Sequence, residues 1–153
     1  MQALITANMK AALEAIQGQP DYNTTIDTVE EARTVLRIED QNYLLLQEER
    51  VRYLEDYQHT NDVIYQYTIV FFSGNNDEAP NDPYAYQNRN VVADITKALM
   101  IDRTRGGYAM NTTIDESGPD FFADSNNGMI IPVTSVAVDV HALVNADNPY
   151  QLA

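Results

Sequence analysis

The run Val63-Ile64-Tyr65-Gln66-Tyr67-Thr68-Ile69-Val70-Phe71-Phe72 is the most strand-like stretch of the chain, and it decides the fold. Its odd-numbered positions are all apolar or aromatic, whereas its even-numbered positions begin mixed and end apolar at Val70 and Phe72. Because side chains alternate between the two faces of a strand, both faces are largely covered at its end, as in an inner strand. The sequence therefore predicts a sheet built around residues 63–72, which the turn-forming residues 73–76 terminate.

The segments on either side predict two helices and further strands. Apolar residues recur at helical spacing over 3–17 and again over 91–102, where Asn88 or Asn90 is the expected N-cap. Strand patterns are found in four other segments: 22–37, 43–46, 108–114 and 129–143. In the first of them Val29, Ala32, Arg33 and Leu36 could also form one helical stripe, and the strand is favoured. The predicted fold class is α+β, a mixed or antiparallel sheet of about four to five strands with two helices packed on one face. We expect one domain over residues 1–153.

Three polar segments separate these elements. Long loops are predicted at about 74–88, with Tyr84 and Tyr86 near its end, and at 115–128, which encloses Phe121 and Phe122. Residues 47–57 carry crowded charges of both signs and are predicted to form an irregular segment or strand edge, solvated or in contact with another subunit. We expect contacts with other subunits or proteins in these polar segments.

The charge balance narrows the function classes. The chain has 23 acidic and nine basic residues, a formal net charge of −14, and no Lys or Arg follows Arg105. Such a surface repels a phosphate backbone, so tight binding to nucleic acid is not expected. The chain has no cysteine, which excludes disulfides and thiolate sites. No apolar run reaches the roughly 20 residues that span a bilayer, so we expect synthesis in a cytoplasm and no membrane partner.

Catalytic and metal-binding patterns are weak in this sequence. Asp139 and His141 share one face of the last predicted strand, but no third ligand of matching spacing accompanies them. The adjacent acids Glu48-Glu49 and Asp115-Glu116 point to opposite faces of a strand and do not converge on one atom. We therefore predict no enzyme, with no catalytic, cofactor-binding or metal-binding residues. The remote alternative is a small metal-dependent hydrolase that uses Asp139, His141 and acids from the loops.

One combination of elements resembles a known family. The central strand ends in Val70-Phe71-Phe72, the helix Val91-Val92-Ala93-Asp94-Ile95-Thr96-Lys97-Ala98-Leu99 follows a variable loop, and Asp102-Arg103-Thr104-Arg105-Gly106-Gly107 comes after it. A strand over 133–143 and a polar tail complete the pattern, and the leading helix and residues 22–26 fit the same layout. In this order of elements the chain resembles the tail terminator, or tail completion, proteins of long-tailed bacteriophages.

The resemblance implies a structural role in a virion. In that family small α/β subunits form a ring, usually hexameric, that caps the tail tube, ends its polymerisation and joins the tail to the head completion proteins. The partners implied are other copies of the chain, the major tail tube protein and a head completion or neck protein, with DNA passing through without tight binding. The implied location is the head-proximal end of the virion tail, assembled in the host cytoplasm.

The expected contact residues follow from the polar segments and this resemblance. The predicted subunit or tube interface comprises Glu48, Arg50, Arg52, Glu55, Asp77, Tyr84, Tyr86, Arg103, Arg105, Phe121 and Phe122. An alternative role in the same assembly is another neck or minor tail component, such as a head-tail connector.

Overall fold

The sheet predicted around residues 63–72 is present. The computed structural model describes residues 1–17, 19–31, 42–72, 84–123 and 130–151. In this part of the chain the elements are α1 Gln2–Glu14, β1 Thr28–Glu31, β2 Tyr43–Tyr57, β3 Thr60–Phe72, α2 Tyr84–Met100, β4 Asn111–Ala123 and β5 Ile130–Asn145.

The strands form one mixed sheet with the order β1-β2-β3-β5-β4. β1 runs parallel to β2, and the other neighbouring pairs are antiparallel. β3 therefore lies in the middle of the sheet, as its two largely apolar faces predict. The α+β class, the five strands of the described chain and the two helices agree with the sequence-based prediction.

Both helices cover the same face of the sheet, which we call the helix face. Buried residues of α1 and α2, such as Leu13 and Ile95, join one apolar cluster with Tyr67 and Ile69 of β3. β5 contributes through its predicted alternation, because its helix-face positions are fully or almost fully buried: Val136, Val138, Val140, Ala142 and Val144. Burial of this single stripe fixes the register of β5, since a shift by one residue would move all five side chains to the other face.

The opposite face, which we call the distal face, is polar over much of its area. Gln66 of β3 and Ser135, Asp139 and His141 of β5 are half-buried there. At one end of this face lies a second, smaller apolar cluster of Tyr43, Leu45, Val70, Phe72 and Val133. The apolar even-numbered end of β3, noted in the sequence, is the reason for this second cluster.

The second helix begins earlier than its apolar pattern suggests. α2 starts at Tyr84, so the prediction of a loop over 74–88 is wrong for residues 84–88, and Asn88 and Asn90 are inside the helix and do not cap it. Residues 73–83 lie outside the described residues. The apolar stripe that predicted the helix lies in its later turns, where Val91, Ile95 and Leu99 are buried.

The fourth strand is longer than predicted. β4 runs from Asn111 to Ala123, so the start predicted at residue 108 and the loop predicted over 115–128 are both wrong where the structure describes them, up to residue 123. Gly118 and Pro119 suggested a loop, but an outer strand tolerates proline because one side of its backbone needs no ladder bond. Residues 124–129 lie outside the described residues.

The first two strands also differ from the expected bounds. The strand predicted over 22–37 is observed only at Thr28–Glu31, and residues 32–41 lie outside the described residues. The short strand predicted at 43–46 continues without a break to Tyr57. Its charges had obscured the strand pattern because most side chains after residue 47 face solvent.

Candidate subunit interface

The second half of β2 forms a side of the sheet that is free in the described chain. β1 pairs with β2 only from Tyr43 to Leu46, whereas β3 pairs with β2 almost along its whole length. Among the described residues, no strand flanks residues 47–57 on the β1 side. We call residues 47–57 the β2 edge.

The β2 edge is irregular and exposes apolar side chains. Two residues, Glu49 and Arg50, face the single β3 residue Gln66, and Leu54 is an extra residue between two paired positions. The side chain of Tyr53 is 68% exposed, that of Leu54 44% and that of Val51 36%. Irregularities and charges of this kind disfavour indiscriminate strand pairing, whereas an exposed tyrosine beside arginines is typical of specific protein contacts.

Two predicted contact residues, Arg50 and Arg52, belong to this edge. Both are exposed, and within the described chain neither forms an ion pair. Arg52 is in register with Ile64, which places it on the distal face. Glu55 is also exposed and is in register with Asp62 on that face. In a chain with 23 acidic residues, two exposed arginines without an ion-pair partner among the described residues are available to an acidic neighbour.

Glu48, in contrast, holds α1 on the sheet. The Thr6 Oγ1 of α1 lies 2.5 Å from the Glu48 carboxylate, to which its one hydrogen can be donated, 3.0 Å from the Gln2 carbonyl and 3.1 Å from the Tyr67 hydroxyl. Burial raises the pKa of the Tyr67 phenol well above its usual value, so this hydroxyl stays protonated near neutral pH. Glu48 therefore has an intramolecular role that its position in a charged segment did not indicate.

The turn after α2 is organised by Asp102. Its carboxylate accepts hydrogen bonds from the Thr104 N–H at 3.0 Å, the Thr104 hydroxyl at 2.7 Å and the Gly106 N–H at 2.6 Å. These hydrogen bonds lower the pKa of Asp102, and the bond from the Thr104 hydroxyl makes the largest contribution. Arg105 (φ 50°), Gly106 (φ 71°) and Gly107 (φ 86°) are all left-handed, which explains the paired glycines.

The two predicted contact residues of this turn have different surroundings. Arg103 is exposed, whereas Arg105 has no exposed surface. The Arg105 Nη2 donates to the Leu99 carbonyl near the end of α2, while its Nε and Nη1 are buried without a hydrogen-bond partner. Burial lowers the pKa of Arg105. In this conformation Arg105 cannot contact a neighbour, so its assignment to a surface interface is wrong for the single chain.

A buried carboxylate that the sequence reading missed fixes the segment before β1. Asp94 of α2 is 3% exposed and accepts the backbone N–H groups of Asn23 at 2.9 Å and Thr24 at 2.6 Å. One turn later, Lys97 donates to the Asp21 carbonyl at 2.8 Å and lies over the Tyr22 ring. The sequence contained a signal for this contact, namely an aspartate between the buried helix positions 91 and 95. Burying a carboxylate without a partner is very costly, so such an aspartate must find hydrogen-bond donors.

Asp139 and His141 lie on one face of β5, as predicted, but they have separate partners. Asp139 accepts a hydrogen bond from the Gln66 amide at 3.2 Å, and His141 Nε2 hydrogen-bonds to the Asp62 carboxylate. In the described part of the chain, His, Asp and Glu side chains do not gather in groups of three that could hold a metal ion. This distal-face network links β3 to β5.

The other predicted contact residues are placed only by their backbone. Tyr84 and Tyr86 lie in the first turn of α2, and Phe121 and Phe122 pair with Pro132 and Ile131 at the end of β4. Asp77 lies outside the described residues. The predicted contact residues are therefore distributed over the β2 edge, the α2–β4 turn and the ends of α2 and β4.

Comparison with known proteins gives no assignment. The chain matches no protein-family model, and no curated protein matches it significantly. Within the described residues, neither helix has the length and apolar character needed to cross a membrane.

Proposed function

We propose that this protein is a phage tail terminator, a structural subunit that assembles into a ring, caps the tail tube and joins the tail to the head completion proteins. The proposal starts from the resemblance in element order between the chain and that family. It is supported by a fold in which the strands of that order form one sheet and the two helices pack on one face of it.

The observation that carries the ring is the β2 edge. A free side of the sheet presents exposed Tyr53 and Leu54 beside Arg50 and Arg52, and neither arginine has an ion-pair partner in the described chain. Aromatic and arginine side chains are enriched at protein interfaces. A subunit that contacts identical neighbours on two different surfaces forms a closed ring when the rotation between copies closes.

The acidic character of the chain suits a conduit. With a net charge of −14 the surface repels phosphate groups, so DNA can pass a wall of such subunits without adhering to it. In this role no bond is made or broken, and the partners are other copies of the chain, the tube protein and the head completion protein. The ring is at the head-proximal end of the virion tail.

Tube polymerisation provides the test. Adding the purified protein to polymerising tail tube protein of the same virus is expected to shorten the tubes and to leave a ring at one tube end in electron micrographs. A protein of similar size and net charge, added at the same concentration, controls for non-specific electrostatic effects. An unchanged distribution of tube lengths, with bare ends throughout, would contradict the capping function.

A further inference from the structure

Two free edges of the sheet face outward at the same level. Gln47 of β2 is level with Glu116 of β4, because successive strand pairs connect them through one residue of β3 and one of β5. Arg52 of β2 and Asn111 of β4 are level in the same way. The β2 edge and the outer side of β4 are therefore on opposite sides of the sheet, and neither has a strand neighbour in the described chain.

The same part of each edge is open to pairing. β1 pairs with β2 as far as Leu46, and among the described residues no strand flanks β2 from Glu48 onward. Beyond Glu116, Pro119 has no backbone N–H with which to continue a ladder on the outer side of β4. In the described chain, residues 48–53 and residues 110–116 are thus two edge segments of similar length without a strand neighbour on their outer sides.

The strand directions suit head-to-tail contact between copies. β2, β3, β5 and β4 are neighbours in that order, and each pair is antiparallel. A second copy related by rotation about an axis along the strands would place its β2 antiparallel to β4 of the first. The β2 edge of the second copy would then continue the alternating strand directions of the first sheet.

We propose that residues 48–53 of one copy dock along residues 110–116 of a second copy, and that this contact builds the ring. The inference rests on the proposed function and names its subunit interface. Arg50 is level with Thr113, because it faces Gln66, Gln66 aligns with Asp139, and Asp139 aligns with Thr113. Asp115 is an extra residue in the ladder with β5, so the next β4 position on the face of Thr113 is Glu116, which is exposed. Long side chains reach such diagonal neighbours across adjacent strands.

Apolar side chains complement each other on the helix face. Tyr53 is in register with Val63, whose side chain is on that face, and Val63 is in register with Ala142. Met110 comes one residue before Asn111, the partner of His141, so it lies level with Ala142. Met110 is 54% exposed and Tyr53 68%, and docking would cover both together. The interface therefore has an apolar contact on one face and an ion pair on the other.

Single-surface variants test the contact in the full-length chain. Tyr53→Lys and Met110→Lys are each expected to raise the dissociation constant between copies about 30-fold or more, as loss of an interface hot spot does. Mixed together, they are expected to form one-to-one heterodimers of twice the 17.2 kDa chain mass, because each variant retains the surface that the other has lost. Native mass spectrometry measures both results.

A charge swap tests the ion pair. Arg50→Glu and Glu116→Arg are each expected to weaken assembly, and both changes in one chain are expected to restore it, because the opposite charges are exchanged. Arg89→Glu makes the same charge change on α2 and is expected to leave assembly unchanged, and circular dichroism checks that every variant is folded.

The outcomes separate this contact from the ring itself. If the wild-type protein forms rings and the folded Tyr53→Lys and Arg50→Glu variants form the same rings, the docking arrangement is wrong and the proposed terminator function still stands. A failure of the charge swap to restore assembly would also overturn the arrangement. A wild-type protein that caps tubes but forms only two-subunit species would replace it with a symmetric contact. A wild-type protein that neither assembles nor caps tubes would instead refute the proposed function.

Discussion

Replacing Arg105 by alanine is expected to lower the free energy of unfolding by about 2–5 kcal/mol, the range for truncating a large buried side chain. Arg105 is the largest fully buried side chain in the described chain. Replacement by methionine, which fills much of the same volume, is expected to retain most of the stability. Burying a guanidinium with two unpartnered nitrogens is costly, so loss of its charge removes a penalty along with the bond to the Leu99 carbonyl.

Urea denaturation of the two variants and of Arg103→Ala measures these effects. Arg103 is exposed in the same turn, and its truncation is expected to change stability by no more than about 0.5 kcal/mol. If Arg105→Met were as unstable as Arg105→Ala, the hydrogen bond and charge would hold the turn, and the packing explanation would be wrong.

Asp94→Ala is expected to cost roughly 3 kcal/mol or more, because it leaves the N–H groups of Asn23 and Thr24 without their charged acceptor. Asp94→Asn keeps the shape, and its carbonyl oxygen can take the place of Oδ2, which accepts both N–H groups, so a smaller loss is expected, from the missing charge alone. Domain stabilities are about 5–15 kcal/mol, so a loss of this size is a large fraction of the total.

The same denaturation assay tests Asp94, and Asp21→Asn is its matched control. Asp21 lies in the segment that Asp94 holds, but its side chain is exposed and only its carbonyl is used, by Lys97. The control should therefore unfold like the wild type. An Asp94→Ala protein within about 0.5 kcal/mol of the wild type would show that the clamp contributes little.

The elements that bury a regular stripe were predictable from the sequence. β5 alternates over most of its length, β3 alternates until its apolar end, and the later part of α2 repeats at helical spacing, so the fold class follows from these three segments. The first turn of α2 and the second half of β4 were missed because neither shows an apolar stripe in the sequence. For β4, Gly118 and Pro119 are acceptable at an outer edge, which the sequence does not reveal.

The site residues depend on contacts between distant segments. Glu48 and Arg52 belong to the same charged run, yet Glu48 bonds to Thr6 whereas Arg52 is exposed without an ion-pair partner in the described chain. Arg105 lies in the turn after α2, a position that suggests a surface cation, but it is fully buried. Whether each of these side chains is bonded inside the chain or exposed depends on where α1 and α2 pack on the sheet. The local sequence pattern does not determine that packing.

The mass of the native protein in solution tests the central claim most directly. Mass photometry or native mass spectrometry, alone and with tail tube protein, is expected to show a closed assembly whose mass is a whole multiple of 17.2 kDa. A single 17.2 kDa species under both conditions would contradict the ring, and with it the proposal that this sheet is a building block of a tail cap.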